Sequence, residues 1–362
     1  MGFIPPPYGG VSVYVKRLTE QLNRDGYVTR AYKMIVNDEI VNSGFYDDHV
    51  RFGIINFIPR YLLFVKETKS CQIVHSHCSL EISIYLWAIS FFQKKQVIVT
   101  VHNSMVINSY FNVLRVWDRF FLKLLVKQNV KWIAVSQQAK DEMEKLPLKF
   151  GLIDVIPAYL PPLSVANISD YLSDSLLTYI KSYEHIITFY AHSFMYNQGI
   201  DVYGLADALM MFKLLLESEA KPKGSIGFVF CISNADNEQE YSKIMKLASD
   251  YKIHSDIYWQ IGPIAEMSTL WQLTDVYVRP TSTDGDSVAV REAIDCGVNV
   301  VASDVAPRPS EVFVYDYSDI SEFTEKVCAA LKNKSNKKNI DQNKNKPFYD
   351  KVVSIYEEIL KR

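Results

Sequence analysis

The chain is short of net charge. Its 39 Lys and Arg against 41 Asp and Glu leave a formal charge of −2. No bulk field therefore draws it to nucleic acid, and any anion site has to be local. Disulfide and metal signals are equally scarce. The five cysteines, Cys71, Cys78, Cys231, Cys296 and Cys328, are scattered and odd in number. They lack the spacing of a zinc site or a disulfide framework and read as small buried thiols in a reducing compartment. Long apolar runs are missing too. The most hydrophobic stretch, Ser79 to Phe92, contains Glu81 and falls short of the roughly 20 residues that a membrane span needs, so it reads as a buried helix. The start, MGFIPPPYGG, has no basic region followed by an apolar one, and no signal peptide is expected. No GxGxxG fingerprint is present, which disfavours a dinucleotide oxidoreductase.

What is present is material for two cores. The 362 residues are 48% hydrophobic, too long for one ordinary domain and sufficient for two. Short β-rich runs alternate with helical patterns. Val28–Met34, Ile73–His77, Val97–Val101, Trp132–Val135 and Asp154–Ile156 read as strands. So do Ile186–Tyr190, Gly227–Ile232, Tyr258–Ile261, Val276–Arg279 and Val298–Ala302. Most are continuous apolar runs, the pattern of parallel strands covered on both faces, and the alternation predicts an α/β fold with parallel sheets. The first helix carries Val11, Tyr14, Val15, Leu18 and Leu22 on one face and ends at Gly26. Prolines cluster in Pro157–Asn167 and divide the chain into comparable halves. Lys332–Pro347 is rich in Lys and Asn and reads as a solvated linker before a last helix with a stripe of Phe348, Val352, Val353, Tyr356 and Leu360.

The most informative segment is Thr274–Gly297, TDVYVRPTSTDGDSVAVREAIDCG. A strand ends at Arg279–Pro280, a loop follows, and a helix begins near Ser287 and stops at Gly297, a good residue for closing a helix. Ligands of open α/β sheets sit where strand ends meet helix N-termini, and the first helical turn offers unpaired amides and the positive end of the helix dipole. Asp284 in the loop and Glu292 in the helix are spaced to grip hydroxyls at two ends of one ligand. This segment resembles the family-4 retaining glycosyltransferases of the GT-B fold. Their pattern runs from a strand through Pro-Ser and Glu-Gly-Phe-Gly to Leu-Glu-Ala and a closing Gly. Asp275, Val276, Pro280, Asp284, Gly285, Glu292, Ala293 and Gly297 fall on it without gaps. The resemblance implies that Asp284 holds donor-sugar hydroxyls and Glu292 the ribose. It also implies that the backbone of Gly285, Asp286, Ser287 and Val288 lies against the sugar and phosphates, and that the backbone at Ile264 reads the base. Asp284 replaces the usual Glu, Asp286 an aromatic, Ser287 a glycine, and Arg279 and Arg291 apolar residues. Two other readings of the same residues remain. Arg279 or Arg291 pairs with Asp286 in a structural network, or Asp284-Gly285-Asp286 is a metal-binding Asp-x-Asp of the other glycosyltransferase fold.

Two weaker signals lie near the start. Gly9-Gly10 precedes the first helix, where glycine lets a ligand approach the backbone; the resemblance places Gly10 near the donor phosphates. His102 follows a strand, and the resemblance brings it to the donor sugar. His75 and His77 read as structural, since alternation sends both to one face. One family feature is missing. His192 and Gln198 stand where Arg and Lys clamp the diphosphate, and Arg279, Arg291 and Arg308 are the substitutes expected to stabilise it. Finally, Arg115, Arg119, Lys123 and Lys127 recur along a helix, either as a basic surface for anionic lipid or as a solvated face.

The resemblance implies two facing Rossmann-like domains, residues 1–160 and 161–335. A polar linker at 336–346 would lead to a helix, 347–362, that crosses back to the first domain. It further implies a cytoplasmic enzyme, peripheral on the inner membrane, that needs no metal or other cofactor. Its donor would be a nucleotide-diphosphate sugar and its acceptor a glycan or polyprenyl-linked species in bacterial O-antigen or capsule synthesis. A nucleotide-sugar 2-epimerase of the same fold and a nucleotide-sugar-binding pseudoenzyme are the rivals.

Overall fold

The computed structural model describes residues 9–31, 57–77, 80–102, 106–162, 167–197, 199–222, 225–333 and 346–361, together with Pro5. The chain divides into two compact units, Met1–Leu160 with Asn343–Arg362, and Pro161–Gln342. Among the described residues, no helix is long and apolar enough to cross a membrane.

In the first unit β1 (Ile73–Ser76), β2 (Gln96–Val101), β3 (Val130–Ala134) and β4 (Ile153–Val155) pair in that order, all parallel. Its helices are α1 (Gly10–Arg24), α2 (Phe57–Thr68), α3 (Ser83–Gln93), α4 (Val106–Asn108, continuing as a π-helical turn over Ser109–Val113), α5 (Val116–Leu125) and α6 (Gln137–Glu144). The chain's last helix, α13 (Lys346–Leu360), joins them. Strand alternation sorts the side chains. Val97, Val99, Trp132 and Ala134 face Leu86, Ile89, Leu122 and Leu125, while Ile98 and Ile133 face α1 and α13. A sheet covered on both faces needs apolar residues at every position, which is why these strands read as unbroken hydrophobic runs.

Three expectations are corrected in this unit. No strand covers Val28–Arg30 and Val28 is exposed; residues 32–34 lie outside the described residues. The buried stripe of α13 is Tyr349, Val352, Ile355, Tyr356 and Ile359, with Leu360 exposed. Phe348 and Val353 pack at the edge of this stripe as expected, and the three- and four-residue steps from Tyr349 through Val352, Tyr356 and Ile359 leave Leu360 outside it. In the run from Ser79 to Phe92, Ser79 lies outside the described residues, Leu80–Ile82 form a 3₁₀ turn and the rest belongs to α3, but Phe91 and Phe92 at its end are exposed.

The second unit contains α7 (Asp174–Lys181), β5 (His185–Ser193), a hairpin of β6 (Tyr196–Asn197) and β7 (Ile200–Asp201), α8 (Leu205–Glu217) and β8 (Ile226–Asn234). It continues with α9 (Glu238–Asp250), β9 (Ile257–Ile261), α10 (Ser268–Trp271), β10 (Val276–Arg279), α11 (Val288–Asp295), β11 (Asn299–Ser303), β12 (Phe313–Tyr315) and α12 (Ile320–Lys332). The sheet runs β12-β11-β10-β5-β8-β9 and is parallel throughout. Numbered from β5, this is the Rossmann order 3-2-1-4-5-6, and its direction reverses between β5 and β10. The hairpin and β12 were not legible as strands, being only two or three residues long. Most of the polar Lys332–Pro347 stretch lies outside the described residues.

Two contacts lock the strands at the reversal. The Asp275 carboxylate accepts the Ile186 N–H at 2.8 Å, and Thr188 and Thr274 hydroxyls meet at 2.8 Å. At the carboxyl end, Ser282 N–H donates to Val202 O at 3.0 Å, and Gly204 caps α8 with φ +70. A Cβ on Gly204 would collide with the Pro280 carbonyl oxygen and come within 2.9 Å of its carbon. Gly204→Ala should therefore cost about 1–3 kcal/mol, through a disfavoured left-handed alanine and displacement of the loop after β10. Urea unfolding measures this; an unchanged midpoint would show that the loop yields freely.

Candidate active site

The sequence builds the β10–α11 loop from both ends. Ser287 caps α11, its Oγ accepting the Val290 N–H at 3.4 Å. Gly297, at φ +79, ends the helix as the sequence predicts, with Val298 N–H reaching back to Ala293 O at 2.9 Å. The amides of Val288 and Ala289 fall in the first turn, where intrahelical acceptors are missing.

Inside this loop the charged side chains pair. Arg279 donates from Nε and Nη2 to the two oxygens of Asp284 at 3.1 and 3.0 Å. Arg308 adds Nη1 to Asp284 Oδ2 at 2.7 Å and Nε to Ser303 O at 2.9 Å. Gly285 N–H donates to Asp284 Oδ1 at 3.1 Å. The guanidinium of Arg279 also lies over the Tyr203 ring, 5.5 Å from its centre. All three charged side chains are nearly buried, at 11% (Arg279), 8% (Asp284) and 3% (Arg308) exposure. Burial alone would raise the Asp284 pKa, but Arg279 and then Arg308 outweigh it and hold the carboxyl at about 2. One carboxylate between two guanidiniums leaves a buried net positive charge at the strand ends.

Asp286 is different. Its Oδ1 accepts Arg291 Nε at 2.6 Å, whereas Oδ2 is buried with no hydrogen-bond partner among the described residues. Burial raises its pKa; the Arg291 charge and hydrogen bond pull the other way, and Asp284 again raises it. Of the three arginines singled out in the sequence, Arg291 is the most exposed, at 24% of its side chain.

Glu292 is buried in α11 and accepts the Trp271 indole N–H at 3.0 Å. Ile264 follows Gly262, which has φ +101, and packs with Leu176, Val229 and Leu270. His192 lies in β5, where its backbone N–H bonds the Tyr203 hydroxyl; Gln198 lies outside the described residues. Arg279 thus pairs with Asp284 and Arg291 with Asp286, where the sequence allowed either arginine to pair with Asp286. Tyr203, Trp271, Thr281 and Ser303 carry no sequence signal, because they become neighbours only when separate strand ends converge.

The first unit has its own cluster at the ends of β1 and β2. His77 Nδ1 and His102 Nε2 lie 3.0 Å apart, one donating to the other. The Tyr14 ring stands edge-on to both, at 5.6 and 5.7 Å. Burial lowers the His102 pKa to about 4 and drives His77 well below its usual range, so both rings are neutral at pH 7. His75 has a bracing role: its nitrogens meet Tyr356 Oη at 2.6 Å and Thr100 Oγ1 at 2.7 Å. The sequence missed the link from His77 to His102. Gly10 opens α1, and Ser12 closes the cap by accepting the Gly9 N–H at 2.9 Å. Gly9 has an extended backbone, and a Cβ there would meet nothing within 4 Å, so the fold itself does not demand a glycine. Among the described residues, no group of three or more His, Cys, Asp or Glu could hold a metal ion.

Residues 8–158 match the family model described as Glycosyltransferase Family 4. No curated protein sequence matches the chain. Solved structures resemble it over nearly its whole length. A sucrose-phosphate synthase from Thermosynechococcus elongatus is 14% identical, with a TM-score of 0.67, over 97% of this chain and 94% of its own. A glycosyltransferase from Rickettsia africae is 13% identical, with a TM-score of 0.67, over 100% and 98%. HepE from Anabaena, in complex with UDP and glucose, is 14% identical, with a TM-score of 0.63, over 98% and 95%. At such identities the likeness establishes the fold, and the family model supplies the activity class. The chain is a glycosyltransferase of the GT-B fold, and its residues 8–158 match the Glycosyltransferase Family 4 model.

Proposed function

We propose that the protein moves a sugar, with retention of configuration and without a metal, from a nucleotide-diphosphate sugar to a glycan or polyprenyl-linked acceptor. We place this reaction at the cytoplasmic face of a bacterial inner membrane, in O-antigen or capsule assembly. The observation that carries the donor half is the unpartnered, buried Oδ2 of Asp286 at the N-terminal end of α11. A buried acceptor left unsatisfied costs about 1–3 kcal/mol, which a ligand hydroxyl would recover. The first-turn amides of α11 suit a phosphate, and HepE, of the same fold, binds UDP-glucose.

In this reading Asp286 takes the sugar-hydroxyl role expected of Asp284. Asp284 is occupied by Arg279 and Arg308 and instead anchors them. Their net positive charge stabilises the departing diphosphate through the local field, and Arg291 approaches it directly. Such stabilisation is greatest as charge grows in the transition state. Asp284-Gly285-Asp286 does not suit a divalent cation, because Asp284 already lies between two guanidiniums. Catalysis then rests on positioning and electrostatics rather than a covalent carboxylate intermediate.

Titration with UDP, GDP and dTDP tests the donor half. Glu292→Gln keeps an acceptor for Trp271 but removes the charge proposed to hold the ribose, so affinity for the preferred nucleotide should fall about 10-fold. Unchanged affinity would remove Glu292 from the site. Donor conversion without acceptor would instead indicate the 2-epimerase, and binding without any turnover the pseudoenzyme.

A further inference from the structure

The first unit carries an apolar ridge that its own core leaves uncovered. Phe92 is 62% exposed, Val116 76%, Trp117 59% and Phe120 49%, and Phe91 and Phe111 are also exposed. Five of the ridge's rings form an unbroken chain of contacts. Phe120 meets Phe121 at 5.3 Å, Phe121 meets Trp87 at 5.2 Å, and Trp87 contacts Phe91 and Phe92 at 5.5 and 5.7 Å. The π-helical turn bearing Phe111 is tied to α5 by Arg119, which donates to Phe111 O at 2.8 Å and Leu114 O at 3.0 Å. Arg119 is therefore partly committed to holding the ridge together rather than standing as a free surface cation.

Cations border the ridge. Residues 115–127 carry Arg115, Arg119, Lys123 and Lys127 against a single carboxylate, Asp118. Lys94 Nζ lies 5.1 Å over the Phe91 ring. This local positive charge contrasts with the formal −2 of the whole chain. Large exposed apolar patches mark interaction sites, and the chemistry of the border separates the candidates. Protein interface cores are depleted of Lys, whereas aromatic rings flanked by Lys and Arg match the depth profile of a bilayer surface.

We propose that this ridge inserts its aromatic side chains into a bilayer containing anionic lipid, with Lys94, Lys123 and Lys127 at the headgroups. Docking is then hydrophobic first and electrostatic second, unlike attraction by a basic stripe alone. It goes beyond the donor chemistry and holds or fails independently of it.

Vesicle co-sedimentation of the full chain tests this. Wild type should bind vesicles of equal parts phosphatidylcholine and phosphatidylglycerol, and bind phosphatidylcholine alone more weakly. Trp117→Ser with Phe120→Ser should lower partitioning into the mixed vesicles on the order of 100-fold, as expected for withdrawing two large side chains from lipid. Phe92→Ser, on a different helix, should reduce it independently. Lys123→Gln with Lys127→Gln should lower it by about 10-fold, and only on the anionic vesicles. UDP affinity should stay at the wild-type value in all variants, which separates docking from donor binding and reports that they remain folded. Failure of wild type to bind either vesicle overturns the proposal. So does binding that ignores the aromatic changes but vanishes with the lysines. A wild-type dimer that the aromatic changes dissociate, with no vesicle binding, would assign the ridge to a second copy of the chain and equally overturn it.

Discussion

Asp284→Ala is expected to destabilise the protein by about 3–5 kcal/mol, because it strands two buried guanidiniums without their shared counter-ion. Arg279 and Arg308 are 11% and 3% exposed and cannot turn to water without opening the ends of β10 and β11. Asp284→Asn should cost less, since an amide oxygen still accepts one of the arginine bonds. The pH dependence has a definite sign. The folded pKa of Asp284, about 2, lies below its ordinary 3.8. Its contribution is complete above pH 4 and disappears as pH falls through about 2, worth roughly 2 kcal/mol. Protonation removes less than truncation because the neutral carboxyl still accepts hydrogen bonds. Urea unfolding at pH 7 and across the acid range measures both. A midpoint for Asp284→Ala equal to wild type would mean that the pairing is incidental, and would return Asp284 to the sugar-binding role implied by resemblance.

This network also marks the limit of what the sequence discloses. The α/β class, the parallel strands and the loop leading to Ser287 and Gly297 are written locally, in apolar runs, a helix cap and a left-handed glycine. Pairing partners are not. Arg279 and Asp284 are five residues apart, but Arg308 reaches Asp284 only because β10 and β11 lie side by side. His77 and His102 meet for the same reason across β1 and β2. Asp275 matched the family pattern, yet its carboxylate joins β10 to β5 at the amino end of β10, away from the candidate site. The motif that carries the resemblance lies in the second unit, whereas the family-model match covers residues 8–158. In that first part the sequence offered only a Gly-Gly turn and a histidine. Phe91 and Phe92 end a run read as buried yet are exposed, because an apolar run shows which residues could be covered without showing which of them the fold covers.

Asp286→Asn is expected to lower turnover on the order of 100-fold while leaving the affinity for free nucleotide unchanged. The magnitude is that of losing one preorganised polar contact to the reacting group. The substitution is nearly isosteric. Asn Oδ1 can still accept from Arg291 Nε, but the amide nitrogen puts a donor where the buried acceptor Oδ2 stood. Stability should hold or rise, because a desolvated charge is removed. Asp284 and Asp286 lie two residues apart and are pushed in opposite directions. The guanidiniums hold Asp284 low, and burial, outweighing Arg291, raises Asp286. A carboxyl with a raised folded pKa contributes in the reverse sense: its ionisation opposes folding, so stability falls as pH rises through that pKa. Catalysis needs the ionised form, so the rate should climb with pH over the same window. The pH–rate profile of wild type should then carry an acid limb that Asp286→Asn abolishes. Arg291→Met should shift that limb to higher pH by removing the one cation bonded to Asp286. If Asp286→Asn turns over at the wild-type rate with the same acid limb, Asp286 is not the sugar acceptor and the limb belongs to another group.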